Sequence, residues 1–178
     1  MQNTRREPIA KVLIVYDSRT GKTEKMAKAV EQGAREAEAN VRIKKVNEAR
    51  LSDLEWAEGI ILGSPDYFST MSARMKGFID RWLGLYVKGK LKDKVGAAFV
   101  SADGTGTGAE ITALSLITAM VSCEMLIVSA PGREAGWPGT YGVIADNLRA
   151  IGSPNEKMLN NSKELGKQVA EVAKKLWS

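Results

Sequence analysis

Short apolar runs alternate with amphipathic helical patterns along the chain, and this alternation constrains the fold more than any other feature. Val12 to Tyr16 is the first run. The pattern after it places Met26, Val30, Ala34 and Ala37 on one helical face. Val41 to Val46 alternates apolar and basic residues, which suits a strand with one covered face or an edge strand. Ser52 to Ala57 reads as a short helix and Gly59 to Gly63 as a third strand. Ser72 can cap a helix whose Met75, Phe78, Ile79 and Trp82 share a face. Val95 to Val100 is the fourth strand. Ile111, Leu114, Ile117 and Val121 are expected to face inward on the next helix, before a fifth strand from Met125 to Val128. The last helix carries Leu165, Val169, Val172 and Leu176, with Asn161 or Ser162 as its cap. Five strands with helices between them imply a parallel α/β sheet covered on both faces, joined by right-handed crossovers. Ligands of such sheets bind outside the carboxyl ends of the strands.

Composition removes several kinds of chemistry. The 178 residues suit one domain spanning 1–178, with 1–9 as a flexible N-terminal segment, and no repeat or linker divides them. There is no histidine, which excludes imidazole metal ligands and Ser-His-Asp hydrolysis. A single cysteine, Cys123, cannot form an internal disulfide or a zinc site and fits a reducing cytoplasm. No metal is expected. If the chain is an enzyme, a cofactor must carry its chemistry. No run of about 18 apolar residues is present to span a membrane. Met1 to Pro8 is polar and lacks the apolar core of a signal peptide. The net charge is +5, but its basic clusters are dispersed among acids, which reads as solvated faces rather than a nucleic-acid stripe.

The loops carry the functional signal. Ser18, Arg19, Thr20, Gly21, Lys22 and Thr23 join the first strand to the first helix. Three hydroxyls, a glycine and the free N–H groups of a helix start suit a phosphate monoester. Gly21, Lys22 and Thr23 match the end of a P-loop, but Tyr16 stands where its first glycine belongs, and no Asp closes the third strand. An ordinary turn with a Thr cap is the plain alternative. After strand three come Pro65, Asp66, Tyr67 and Phe68, whose adjacent aromatics suit a flat heteroaromatic ligand unless one ring packs beneath the loop. After strand four come Ser101, Gly104, Thr105, Gly106 and Gly108. Gly104, Gly106 and Ala109 fit a dinucleotide spacing, but not in the first βα turn where that pattern belongs. A long loop from Ser129 to Ile144 holds Trp137 and Tyr141, which could wall a pocket or an oligomer contact.

Ser18 to Thr23 resembles the [S/T]-x-T-G-x-T phosphate loop of flavodoxin-like FMN proteins. Gly63 to Ser72 with Met75, Phe78 and Asp80, the Gly/Thr run after Ser101, and Pro138 to Gly142 resemble the NAD(P)H:quinone oxidoreductase branch related to the tryptophan-repressor-binding protein. The similarity spans about residues 10 to 176. It implies a flavodoxin-like three-layer sandwich with a five-stranded parallel sheet of order 2-1-3-4-5. It also implies FMN as cofactor, NADH or NADPH as electron donor, and a quinone or other small acceptor, with a homo-oligomer (dimer or tetramer) as the assembly. By position, Ser18, Arg19, Thr20, Gly21, Lys22 and Thr23 would hold the phosphate. Pro65, Asp66, Tyr67 and Phe68 would border the isoalloxazine on one side, and Ser101, Gly104, Thr105, Gly106 and Gly108 on the other. Tyr141 is a candidate polar contact to substrate. The branch often carries a histidine near the flavin, where this chain has Ser122 and Cys123. The alternative is a flavodoxin proper, carrying single electrons to a redox protein partner; a regulatory or structural protein that keeps the fold is a third class.

Overall fold

β1 (Lys11–Tyr16) is flanked by β2 (Asn40–Lys45) on one side and β3 (Gly59–Pro65) on the other, all parallel. β4 (Val95–Ser101) continues the sheet beside β3. The computed structural model describes residues 9–129 and 142–177. Strands β1, β3 and β4 are central and bury nearly every side chain, which explains why they read as continuous apolar runs. β2 is the edge strand, as its basic alternation predicted.

The strand order is β2-β1-β3-β4-β5, the flavodoxin-like order expected, but the sheet has six strands rather than five. The fifth position is filled by two pieces. β5 (Leu126–Ile127) pairs with the start of β4 through Val95 and Gly96. β6 (Val143–Ala145) pairs with its end through Phe99, Val100 and Ser101. The two pieces thus share one edge of β4, one at its start and one at its end. A three-residue strand is too short to show an alternating pattern, so the sequence reading missed it.

Two cores flank the sheet. Helices α1 (Lys22–Glu36) and α7 (Glu156–Trp177) cover one face. Helices α2 (Leu51–Trp56), α3 (Ala73–Asp80), α4 (Leu83–Val87) and α5 (Ala109–Ser122) cover the other, and the short α6 (Leu148–Ile151) lies against the α1/α7 side through Leu148. Burying a Leu or Phe side chain such as Leu13, Leu62 or Phe99 contributes roughly 1.5–3 kcal/mol. α1 and α7 cross where Gly33 faces the Lys163 backbone and Gly166 faces the Val30 backbone; a Cβ at either glycine would overlap the opposing carbonyl.

Helix α5 presents the opposite face to the one expected. Ala109, Thr112, Ala113, Leu116 and Met120 pack on the sheet, while Ile111, Leu114 and Val121 are exposed. The helix is apolar nearly all round, so its periodicity fits two faces. The small Thr112 and Ala113 permit close approach to β4. The cap of α7 is likewise corrected. Asn155 accepts a hydrogen bond from the Met158 N–H at 3.0 Å, while Ser162 is buried about two turns further on, donating to the Met158 carbonyl at 2.8 Å.

At the amino-terminal edge of the sheet, Lys94 is buried. Its ammonium donates to the carbonyls of Glu55 (3.0 Å) and Ala57 at the end of α2, and lies 6.0 Å from the Trp177 ring centroid. Burial lowers its pKa from 10.5 to about 8, against the opposing attraction of Glu58 and Glu55. The unfolded chain therefore holds this proton up to higher pH than the folded one. Lys94 should make folding more favourable as pH rises from about 8 towards 10.5. Urea unfolding at pH 7.5 and 9.5 should show this gain, and Lys94→Met should flatten it.

Candidate functional site

The β3–β4 register runs without a break from Gly59 opposite Val95 to Pro65 opposite Ser101, so both strands end level. The Asp66 N–H then donates to the Ser101 carbonyl (2.8 Å), the Asp17 N–H to Gly63 (2.9 Å), and the Ala102 N–H to Ala145 (2.8 Å). The loops after β1, β3, β4 and β6 thus leave one edge of the sheet together. This is the carboxyl edge, where an open α/β sheet binds ligands.

In the first loop the Ser18 hydroxyl accepts from the N–H groups of Gly21 (3.1 Å) and Glu24 (3.3 Å). Gly21 is the N-cap of α1 in a left-handed conformation, with open space where a Cβ would stand. Arg19 and Thr20 are exposed. The first-turn N–H groups of Lys22 and Thr23 have no acceptor within the helix. The loop therefore offers amides, hydroxyls and a helix start to an anion. Two of its side chains turn elsewhere. The Lys22 ammonium pairs with Asp103 (2.6 Å) and donates to the Leu148 carbonyl (3.2 Å). Thr23 is buried, its hydroxyl 2.8 Å from that of Ser101. Beneath the loop, burial and then the nearby Glu24 push Tyr16 up to about 12, so its phenol is neutral at physiological pH.

The β3–α3 loop is clipped at its base, where the buried Ser64 hydroxyl accepts from the Ser72 N–H (2.9 Å) and donates to the Pro65 carbonyl (2.8 Å). Ser72 also caps α3 by accepting from Met75, as expected. Asp66 accepts from the buried Thr112 hydroxyl at 2.5 Å. Tyr67 and Thr70 exchange backbone hydrogen bonds around Phe68 (φ 53°) and Ser69 (φ 61°), both left-handed. Two such residues in succession make a type I′ turn, a geometry usually left to Gly, Asn or Asp. Neither aromatic packs beneath the loop: Tyr67 is partly exposed and Phe68 wholly so.

The β4–α5 loop meets this turn directly. The Ser69 hydroxyl donates to the Thr107 carbonyl (3.0 Å), and the Thr107 hydroxyl donates to Gly104 (3.0 Å). Gly108 (φ 89°) lies so close to Ser69 that any Cβ there would overlap its hydroxyl. Thr105 and Gly106 are exposed, whereas Pro65 and Ser101 are buried in the strand ends. Ser101 thus supplies a buried hydroxyl to Thr23 rather than an open one. Beside the turn, a groove of about 680 Å³ runs between α3 and α5, lined by Tyr67, Met71, Lys76, Ser115 and Thr118 among others. Tyr141 and Trp137 lie outside the described residues. Among the described residues no cluster of three or more His, Cys, Asp or Glu is placed to hold a metal. The sequence reading missed Asp17, Arg74, Asp103 and Thr112. Their side chains meet partners many residues away, and no local spacing signals that.

Residues 47–137 match the NADPH-dependent FMN reductase family. A protein of Archaeoglobus fulgidus named NAD(P)H dehydrogenase (quinone) is 37% identical over 94% of this chain and 100% of its own length. The chain belongs to the flavodoxin-like NAD(P)H dehydrogenase (quinone) family. A flavodoxin of Aquifex aeolicus is 34% identical over 92% of this chain and 86% of its own. The fold of the family is matched by the crystal structure of a WrbA-like flavodoxin from Agrobacterium tumefaciens, with a TM-score of 0.79 at 23% identity over 93% of this chain and 98% of that one.

Within this family member, the Thr23–Ser101 hydroxyl pair ties α1 to the end of β4. Thr23→Val would leave the Ser101 hydroxyl buried without its partner and should cost about 1–3 kcal/mol. Adding Ser101→Ala should recover part of that loss. Urea unfolding of the single and double variants measures both.

Proposed function

We propose that this chain is an FMN-dependent NAD(P)H:quinone oxidoreductase. The observation that carries the reading is the anion-ready loop Ser18 to Thr23, set beside two interlocked loops at the carboxyl edge of a sheet of this family. The residues present fit FMN. Its terminal phosphate monoester suits the amides of Lys22 and Thr23, the hydroxyls of Ser18 and Thr20, and the exposed Arg19. The left-handed Gly21 leaves room for close backbone approach. The fused ring suits the border formed by Asp66, Tyr67 and Phe68 on one side and Gly104, Thr105, Gly106 and Gly108 on the other. Pro65 and Ser101 fix the strand ends beneath it.

Held by the Ser18 to Thr23 loop, FMN would supply the chemistry of hydride acceptance from NAD(P)H and two-electron transfer to a quinone. The chain supplies binding, orientation and electrostatics. With no histidine, it offers no imidazole to move protons at neutral pH. The neighbouring loops hold each other through Ser69 and Thr107, which limits the ordering that ligand binding must impose. Tyr141 stays a proposed contact to the acceptor. We place the protein in the cytoplasm, in keeping with its lone thiol. A homo-oligomer is supported by the exposed Ile111, Leu114 and Val121 on α5. Sedimentation velocity of the FMN-loaded protein tests it, and a monomer at every concentration would refute it.

The second reading, a one-electron carrier, rests on the flavodoxin relative from Aquifex aeolicus. Anaerobic addition of NADH or NADPH to the FMN-loaded protein separates the two. For the enzyme, one nicotinamide should bleach the flavin in equimolar amount, and a quinone should restore its absorbance. A carrier should be bleached by neither. Thr20→Val should weaken FMN more than riboflavin, because only the phosphate loses a hydrogen bond. Equal losses would refute the placing of the phosphate loop.

A further inference from the structure

The Asp17 carboxylate is buried at the end of β1, immediately before the Ser18 to Thr23 loop. Arg74, in the first turn of α3, meets it at two points. Its Nη2 lies 3.1 Å from Oδ1, and its Nε donates to Oδ2 at 3.2 Å. A two-point guanidinium–carboxylate contact is geometrically demanding, and Lys cannot reproduce it. Neither residue is placed for the benefit of its own element. A cation in the first turn of a helix opposes the helix dipole, and a buried carboxylate without a partner is costly. Two further anions near the loop have their own partners: Asp103 pairs with Lys22, and Glu24 with Lys28 and Lys45. Arg74 is thus the partner that Asp17 has, and it arrives from the neighbouring β3–α3 segment.

A buried negative charge next to a phosphate-binding loop would oppose the phosphate. We propose that Arg74 is a positioning residue for the cofactor phosphate: by neutralising Asp17 it keeps the Ser18 to Thr23 loop receptive to a phosphate monoester dianion. The inference rests on the FMN reading above. It concerns the phosphate alone, so it predicts a loss for FMN and little change for riboflavin, which share the ring and differ in that group. It also fixes the signs of the variants. Removing Arg74 alone leaves an uncompensated carboxylate beside the phosphate. Removing both charges leaves none.

The test is equilibrium titration of the purified full chain with FMN and with riboflavin, followed by flavin fluorescence. Arg74→Gln should weaken FMN about tenfold or more while changing riboflavin by less than about twofold. The double variant Asp17→Asn with Arg74→Gln should return FMN to within about threefold of wild type. Arg74→Lys, which keeps the charge, should fall between Arg74→Gln and wild type for FMN. Riboflavin binding by each variant reports that the site is still folded. Equal loss of both flavins in Arg74→Gln, or a double variant no better than the single one, would overturn the proposal in favour of a purely mechanical tie. Wild-type binding of FMN with an unchanged flavin ratio in Arg74→Gln would overturn this inference alone. A wild-type protein that binds neither flavin would overturn the cofactor reading with it.

Discussion

The site depends on the unbroken parallel register of β3 on β4. Seven consecutive residues of each strand pair, from Gly59 with Val95 to Pro65 with Ser101, and both strands are wholly buried. Because side chains alternate along a strand, a slip of one residue would invert both cores. The register therefore holds, and it brings the two strand ends to the same height. The Asp66 N–H to Ser101 carbonyl hydrogen bond extends that register one step past the sheet. The two loops that would flank a ring ligand start from this level edge, and the β1–α1 loop leaves the same side of the sheet a little earlier, where the Asp17 N–H meets the Gly63 carbonyl.

From that edge, polar side chains knit the loops to one another. Asp66 with Thr112, Ser69 with Thr107, Thr23 with Ser101, and Lys22 with Asp103 form a set in which each contact joins different segments. Individually such hydrogen bonds contribute about 1 kcal/mol. Together they hold the rim that these loops form at the carboxyl edge of the sheet. The left-handed Phe68 and Ser69 are tolerated within this frame because the turn is closed by Tyr67 and Thr70 and fastened through Ser69. Left-handed backbone costs a residue with a side chain about 1–2 kcal/mol, so the surrounding contacts must exceed that to keep the Phe68 ring in solvent.

The division of labour follows from composition. A chain without histidine and with one thiol, whose pKa burial raises, has little acid–base or nucleophilic chemistry of its own near neutral pH. Its contribution is geometric and electrostatic, and the fold alone would not say which reaction results. The family places it among NAD(P)H-dependent flavin enzymes. Around the loop its own charges are paired, Lys22 to Asp103 and Arg74 to Asp17.

Much of this was legible in the sequence, for reasons that can be named. The buried strands Val12 to Tyr16, Gly59 to Gly63 and Val95 to Val100, the Ser72 cap and the face of α3 depend on neighbours within a few residues, and local pattern reports them. The first loop was recognisable because strand, glycine, hydroxyls and helix start are contiguous. The face of α5 was misread because its apolar residues circle the helix, so only the fit of Thr112 and Ala113 against β4 could choose. The fifth strand was read at Met125 to Val128, where β5 lies, but β6 was invisible because three residues carry no period. The turning of Thr23 to Ser101, 78 residues away, and the pairing of Arg74 with Asp17, 57 residues away, were beyond any local reading. Sequence determined which segments are strands, helices and anion-ready turns, since those follow from bonds between near neighbours. Tertiary structure decided which loop side chains stay exposed and which face each other, since that follows from strand register and from the meeting of loops distant along the chain.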